Sequence, residues 1–314
     1  MDNLAKVFVG VDVSKKRLDI NIFPENKFFR VENNFAGITK LSKKLSKFDV
    51  EQIVCESSGG YERKFIKQLS SSGYKTWIVD PKRIKAFMFA EGIKAKTDAI
   101  DAKMISIFAS KTERTYSNVP AKNEKLVELV SRKNDLTDMI AKEKTHLKCP
   151  TTVFCKNSMN KHIAFMEKQV DKIDKQIEEI INEDQLLKQK YEILTSMPGI
   201  GKATAATLIS MVPELGTIDN KKISALIGVA PYTKQSGTYT GVSKITGGRH
   251  LPRKAIYMSS LTASRFNPVF KKFYDRLISK NKRPKVVLVA VMRKIIITAN
   301  AMIKNNENWR IIEI

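Results

Sequence analysis

Hydrophobic positions divide the chain into three stretches with different periods. In the first, short apolar runs alternate with helical spacings. Residues 6–13 read as a buried strand ending in Asp12-Val13, and Leu18, Ile20 and Ile22 alternate with polar residues, as in a half-exposed strand. Residues 28–31, 53–55 and 76–79 predict three more strands. Ile38, Leu41, Leu45 and Phe48 have helical spacing, as do Phe65, Ile66 and Leu69. The order is three strands, helix, strand, helix, strand, helix. It predicts an α/β layer in which an antiparallel meander leads into a parallel part. Ligands of such sheets gather at the carboxyl ends of strands, where Asp12 and Glu56 stand.

From about residue 123 to 194 the pattern is long, charged and helical. Ile163, Met166, Val170, Ile173, Ile177, Ile180 and Ile181 recur at steps of mostly three and four. This predicts a helical hairpin or coiled coil, broken near Cys149-Pro150-Thr151-Thr152. It suits a solvated scaffold or a dimerising arm. Beyond it, Met197-Pro-Gly-Ile-Gly-Lys-Ala-Thr joins two helical segments. A Gly- and Thr-rich stretch spans 231–248, and helical patterns continue to about residue 304. The expected domains are 1–118, 119–195 and 196–314.

Charge separates these parts. The chain has 314 residues and net charge +24. Residues 1–118 hold 22 Lys+Arg and 14 Asp+Glu, net +8; residues 119–196 hold 14 and 13, net +1; residues 197–314 hold 20 and 5, net +15. The last third is therefore the expected main contact with a polyanion. A membrane partner is not expected: no long apolar span or basic amphipathic anchor stands out, and the N-terminus lacks a signal-peptide core. Cys55, Cys149 and Cys155 form no CxxC pair, which fits a reducing cytoplasm.

Against this basic background four carboxylates stand at element ends. Asp12 and Glu56 end apolar strands, and Asp98 and Asp101 share one face of a helix start, behind Thr97 as N-cap. Each has a plainer reading: a strand-end turn residue, a surface acid, or two acids suiting the helix dipole. Together they make a hard-oxygen set for Mg2+ or Mn2+. Metal ions so held can stabilise both the attacking and the leaving oxygen of an in-line phosphoryl displacement.

Gly10-Val-Asp-Val-Ser-Lys15, Cys55-Glu-Ser-Ser-Gly-Gly-Tyr61 and Lys96-Thr-Asp-Ala-Ile-Asp-Ala102 resemble the DEDD motifs of the insertion-sequence 110 transposases. These are RNA-guided recombinases, related to pilin-type DNA invertases. The resemblance implies a RuvC or RNase-H-like N-terminal domain, with metal held by Asp12, Glu56, Asp98 and Asp101. It also covers the C-terminal part. Ala230-Pro-Tyr-Thr-Lys-Gln-Ser-Gly-Thr-Tyr-Thr-Gly241, followed by Gly247-Gly-Arg-His-Leu-Pro-Arg-Lys254, looks like the family's transposase domain, in which a serine before glycine is the nucleophile. The matching residue is Ser236. A serine hydroxyl needs activation, and its attack on DNA would leave a phosphoserine that keeps the bond energy for rejoining. Gly237 would let backbone approach a phosphate. By pattern alone, Ser236 is an ordinary loop serine.

Pro198-Gly-Ile-Gly-Lys-Ala-Thr204 has the pattern of a helix-hairpin-helix, or of an ordinary helix–helix turn. Gly199, Gly201 and Lys202 are its candidate phosphate contacts. Lys244, Arg249, Arg253, Lys254 and Arg265 are further candidates, or members of a solvated basic face. The expected architecture is an α/β RuvC-like domain, a helical coiled-coil arm and a mainly α transposase domain. The resemblance implies DNA (element ends and target) and a structured guide RNA as partners, and a homo-dimer or tetramer paired through the arm. A DNA invertase, a water-using metal nuclease, a binding protein that has lost catalysis and, more remotely, an actin- or sugar-kinase-like ATPase are the alternatives.

Overall fold

A computed structural model describes residues 6–93, 95, 97–112, 123–149, 151–233, 235–236, 239–241 and 243–310, with backbone alone at 235–236 and 239–240. Two compact units are present, Met1–Tyr116 and Ser117–Ile314. The expected boundary at 118 and Gly237 lie outside the described residues.

The first unit is a five-stranded mixed sheet with helices on both faces. Its elements are β1 (Val7–Val13), β2 (Arg17–Phe23), β3 (Lys27–Glu32), α1 (Phe35–Leu45), β4 (Val50–Glu56), α2 (Arg63–Ser71), β5 (Thr76–Val79), α3 (Pro81–Ala90) and α4 (Asp98–Lys111). Strand order is β3-β2-β1-β4-β5. The β1–β2 and β2–β3 pairs are antiparallel, and β1–β4 and β4–β5 are parallel. The meander thus runs into a parallel half, as the apolar pattern predicts. Val9, Val11, Leu18, Ile20, Ile22, Ile53 and Cys55 form one face, closed by Ile38 and Leu41 of α1 and Phe65 and Leu69 of α2. Val54, Trp77 and Val79 face the other way, against Ile84 of α3 and Ile105 and Phe108 of α4.

The expectation of a half-exposed β2 is overturned. Asp19 and Asn21, its polar positions, are only 2% and 3% exposed. The cause is α4, which lies across β1 and β2. Ser106 of α4 donates its hydroxyl to Asn21 Oδ1 at 2.9 Å, satisfying a polar group that strand alternation would place in water.

The second unit is mainly helical. Helices α5 (Glu124–His146) and α6 (Val153–Glu183) form an antiparallel hairpin. Lys133–Asp174, Lys144–Glu167 (2.8 Å) and His162–Glu143 (2.9 Å) pairs tie the two together. There follow α7 (Gln185–Thr195), α8 (Lys202–Met211) and α9 (Asn220–Ile227), then β6 (Pro231–Tyr232), β7 (Gln235–Ser236), β8 (Tyr239–Thr240) and β9 (Lys244–Ile245). The chain ends in α10 (His250–Phe266), α11 (Pro268–Ser279) and α12 (Pro284–Asn305). The hairpin's base is no separate body: Leu126, Val130, Ile177 and Ile181 share one core with Leu194, Leu208, Ile256 and Ile295. Contrary to the expectation of no long apolar span, α12 is long and apolar enough to cross a membrane. Half of that window is buried, and Val291, Met292, Ile295 and Ile296 pack into this core, as in a globular core helix.

Helix α4 reaches the sheet at Gly10. A Cβ on Gly10 would lie 2.3 Å from both the Ala102 carbonyl oxygen and the Ser106 nitrogen. Both are backbone atoms and cannot rotate aside. Gly10→Ala is expected to destabilise the chain by about 1–3 kcal/mol, as overpacking does. Urea denaturation followed by circular dichroism would measure it, and an unchanged midpoint would contradict the close approach.

Candidate active site

Register brings the acids of the first unit to one end of one sheet face. Val11 pairs with Cys55 in the parallel β1–β4 ladder, so Asp12 and Glu56 follow side by side. Asp12 pairs directly with Asp19 across the antiparallel β1–β2 ladder. Paired residues share a face, and Asp12 lies two residues beyond Gly10 on the α4 side. Thr97 caps α4, its hydroxyl accepting from the Ile100 N–H at 3.3 Å. Asp98 and Asp101 occupy the first turn. The loop after Glu56 is tied by Glu62, whose Oε2 accepts from the Ser58 N–H (3.1 Å), the Ser58 hydroxyl (2.6 Å) and the Gly60 N–H (2.9 Å).

Electrostatics record the convergence. Burial pushes the Asp12 carboxyl above its ordinary range, and the charges of Asp101, Asp98 and Asp19 push it the same way. A hydrogen bond from the Val13 backbone opposes them. Glu56 is half-buried at the end of β4. Mutually repelling carboxylates are the donor set a hard divalent cation uses. Among the described residues, no three His, Cys, Asp or Glu side chains are gathered tightly enough to hold a metal ion as they stand. The donor set suits a hard divalent cation by its chemistry, while its carboxylates are not closed into a cage.

Two residues of this corner escaped the sequence pattern. Asp19 is buried, and Arg30 Nε donates to its Oδ1 at 2.6 Å. Arg30 Nη2 also lies 3.5 Å from Asp98 Oδ2. The available signal was the matched pair of interruptions, Gly10 and Asp12 in β1 and Asp19 and Asn21 in β2.

The second unit holds the other candidates. Ser236 lies in β7, which pairs antiparallel with β8 at Tyr239, and Lys244 lies in the separate β6–β9 pair. Gly199 has φ +110° in the turn between α7 and α8, and a Cβ there would lie 2.6 Å from Ala263 Cβ. The turn therefore needs glycine at 199. Gly201 precedes α8 with φ −87° and open space around it.

The basic candidates divide by partner. Lys202 pairs with Glu178 of α6 at 2.9 Å, and Lys254 pairs with Asp138 of α5. Arg249, a candidate phosphate contact, has a structural partner in this fold. Its guanidinium forks onto Glu214, with two bonds of 2.6 Å, and also donates to the Met211 carbonyl at 2.9 Å. That geometry clamps the start of α10 to the end of α8. Arg253 donates to the Gly247 carbonyl, and Arg265 is exposed near the end of α10. Tyr232 and Tyr257 are exposed as well.

Comparison with known proteins follows the same division. Residues 9–150, which contain all four acids, match a transposase family model of the DEDD IS110 type. Residues 191–275, which contain Ser236 and the basic candidates, match the family described as "Transposase IS116/IS110/IS902 family". The "Pilin gene-inverting protein" of Moraxella lacunata is 26% identical over 96% of this chain and 97% of its own length; that of Moraxella bovis is likewise 26% identical over the same shares. An IS110 insertion-element protein of Streptomyces coelicolor is 30% identical over 36% of this chain and 28% of its own. The protein is an enzyme acting on DNA, of the transposase and recombinase class. It belongs to the IS110 family of transposases, and that family suggests dependence on a divalent metal.

The raised Asp12 carboxyl has a consequence for stability. A carboxyl with a higher pKa folded than unfolded binds its proton more readily in the folded chain. Stability therefore falls as pH rises from the unfolded value, about 4, through the folded one. With a chelator present, Asp12→Asn is expected to melt higher than the wild type at pH 7, and the difference is expected to vanish near pH 4. Melting curves across that range test it; a variant that melts lower at pH 7 would refute the raised carboxyl.

Proposed function

We propose that this transposase cuts and rejoins DNA through a covalent phosphoserine at Ser236, with Mg2+ or Mn2+ held by Asp12, Glu56, Asp98 and Asp101. The observation that carries this reading is the collection of the acids on the α4 side of the sheet, marked by the charges acting on Asp12. The two family matches, in order along the chain, support a chain that carries both the acids and Ser236. When bound, a divalent cation held by these acids would supply positive charge to stabilise a DNA phosphate.

The protein's own groups do the rest. The Ser236 hydroxyl loses its proton and forms an oxygen–phosphorus bond, and the phosphorus–oxygen bond to one deoxyribose breaks. The released DNA hydroxyl takes up a proton. A hydroxyl of the exchanging strand then attacks the phosphoserine and frees Ser236. Each step exchanges one phosphate ester bond for another, so no ATP is needed.

Lys244, Arg253 and Arg265 contact phosphates, joined by Lys202 and Lys254 once DNA displaces their carboxylate partners. The turn at Gly199 and Gly201 presents the start of α8 to the backbone. A structured guide RNA selects the element ends and the target by base pairing, and the protein reads shape and backbone. Copies of the chain pair through the helical arm in the cytoplasm. The exposed Val153, Phe154 and Phe165 on α6 support that pairing. Whole-length similarity to the two pilin gene-inverting proteins favours a second reading, in which the same chemistry inverts a DNA segment.

The decisive experiment incubates the full chain with end-labelled DNA and Mg2+ and traps covalent adducts under denaturing conditions. The wild type is expected to yield DNA linked to Ser236. Ser236→Ala and Asp12→Ala are expected to yield none. Cleavage that persists in Ser236→Ala would mean that water is the nucleophile. A second measurement follows binding against salt. Replacing Lys244, Arg253 or Arg265 by Ala is expected to flatten the log–log slope by about 0.9 for each phosphate that is no longer neutralised. Arg249→Ala is expected instead to lower the melting temperature.

A further inference from the structure

Asp12, Asp19 and Arg30 form one row across three strands. Asp12 pairs with Asp19 in the β1–β2 ladder, and Asp19 pairs with Arg30 in the β2–β3 ladder. Asp19 is therefore a fifth carboxylate at the acid cluster, and its side chain is only 3% exposed. A carboxylate so far out of water needs a partner, and Arg30 supplies it at 2.6 Å. The same guanidinium reaches towards Asp98. Its Nη2 stops 3.5 Å from Asp98 Oδ2, close enough for attraction but long for a hydrogen bond. Asp98 is exposed at the first turn of α4 and can turn away.

We propose that Arg30 is a built-in counter-cation of the acid cluster. It keeps Asp19 out of the metal-binding set and competes with the divalent cation for Asp98. This inference rests on the reading that the four acids bind metal.

The two contacts of Arg30 are unequal, and that inequality defines the role. The short bond to a buried acid holds the guanidinium in place. The long contact to an exposed acid is the one a divalent cation displaces. Asp98 is thereby kept from being drawn wholly into the repelling cluster, and metal binding releases it from Arg30. Arg30 is a positioning residue. It acts through Asp19 and Asp98.

Opposite changes of charge at the two partners should move metal affinity in opposite directions. Arg30→Gln removes a positive charge and leaves Asp19 uncompensated beside Asp12. Asp19→Asn keeps the shape and leaves the charge of Arg30 free to act on Asp98. The measurement is Mn2+ binding to the full chain without nucleic acid, read from the loss of the free-ion electron paramagnetic resonance signal. Arg30→Gln is expected to bind Mn2+ roughly three- to tenfold more tightly, the effect of one unit charge several ångströms away in a partly solvated site. Asp19→Asn is expected to bind more weakly by a similar factor. Arg30→Lys keeps the charge and is expected to stay within about twofold of the wild type on the same grounds. Simple damage to the fold would weaken every variant, so tighter binding by Arg30→Gln cannot come from it. Unchanged or weaker binding by Arg30→Gln, in a wild type that binds Mn2+, overturns this inference alone. Should Arg30→Gln fail to fold, Asp19→Asn decides, and unchanged or tighter binding there overturns the inference. A wild type that binds no Mn2+ overturns the metal reading and this inference with it.

Discussion

The close approach of α4 to β1 at Gly10 is the constraint on which the first unit's chemistry depends. Without a side chain at residue 10, the helix backbone rests directly on the strand. That contact fixes where the first turn of α4 falls, and hence where Asp98 and Asp101 stand relative to Asp12. It also covers the second face of β2, turning Asp19 and Asn21 from surface positions into buried ones. One missing Cβ thus sets both the convergence of the acids and the need for partners among the polar groups that α4 covers.

Those partners are local and specific. Asn21 is met by Ser106 on the helix that buries it, and Asp19 by Arg30 on the next strand. The arrangement separates two kinds of acid in one corner. Asp19 is neutralised inside the sheet. The Asp12 pKa is raised by burial first and by repulsion from its acidic neighbours second, only partly offset by the Val13 backbone. A carboxylate held at an energetic disadvantage by like charges is one that a cation can restore, so the repulsion that weakens the fold favours metal binding.

Much of this was legible in the sequence, and the rest was hidden for definite reasons. The five strands and their order follow from short apolar runs, and the helical hairpin from steps of three and four. The four acids were visible because each ends an element. Asp19 was not, because strand alternation reads Leu18-Asp19-Ile20-Asn21-Ile22 as one dry face and one wet face. Period two reports which residues share a face, and it says nothing of whether a distant helix covers it. The Arg249–Glu214 pairing was hidden for a related reason. A basic residue beside a glycine-rich loop looks solvent-facing, yet its partner Glu214 lies 35 residues away in sequence. Ser236 carried almost no local signal, because one hydroxyl in a Gly/Thr-rich turn resembles any other.

The second unit meets the opposite electrostatic problem. Residues 197–314 carry net +15, so their basic groups repel one another as the acids of the first unit do. Relief comes from the near-neutral arm. Glu178 and Asp138 on the hairpin reach Lys202 of α8 and Lys254 of α10. These pairs are largely exposed, and exposed pairs contribute little to stability. They are therefore easily exchanged for phosphate, which offers more oxygens and releases condensed counterions. The Arg249–Glu214 fork differs: Glu214 is nearly buried and the contact is bidentate, so phosphate has no comparable route to it. Among these basic residues, the depth of the acidic partner separates a cation locked into the fold from those held only by exposed, exchangeable pairs.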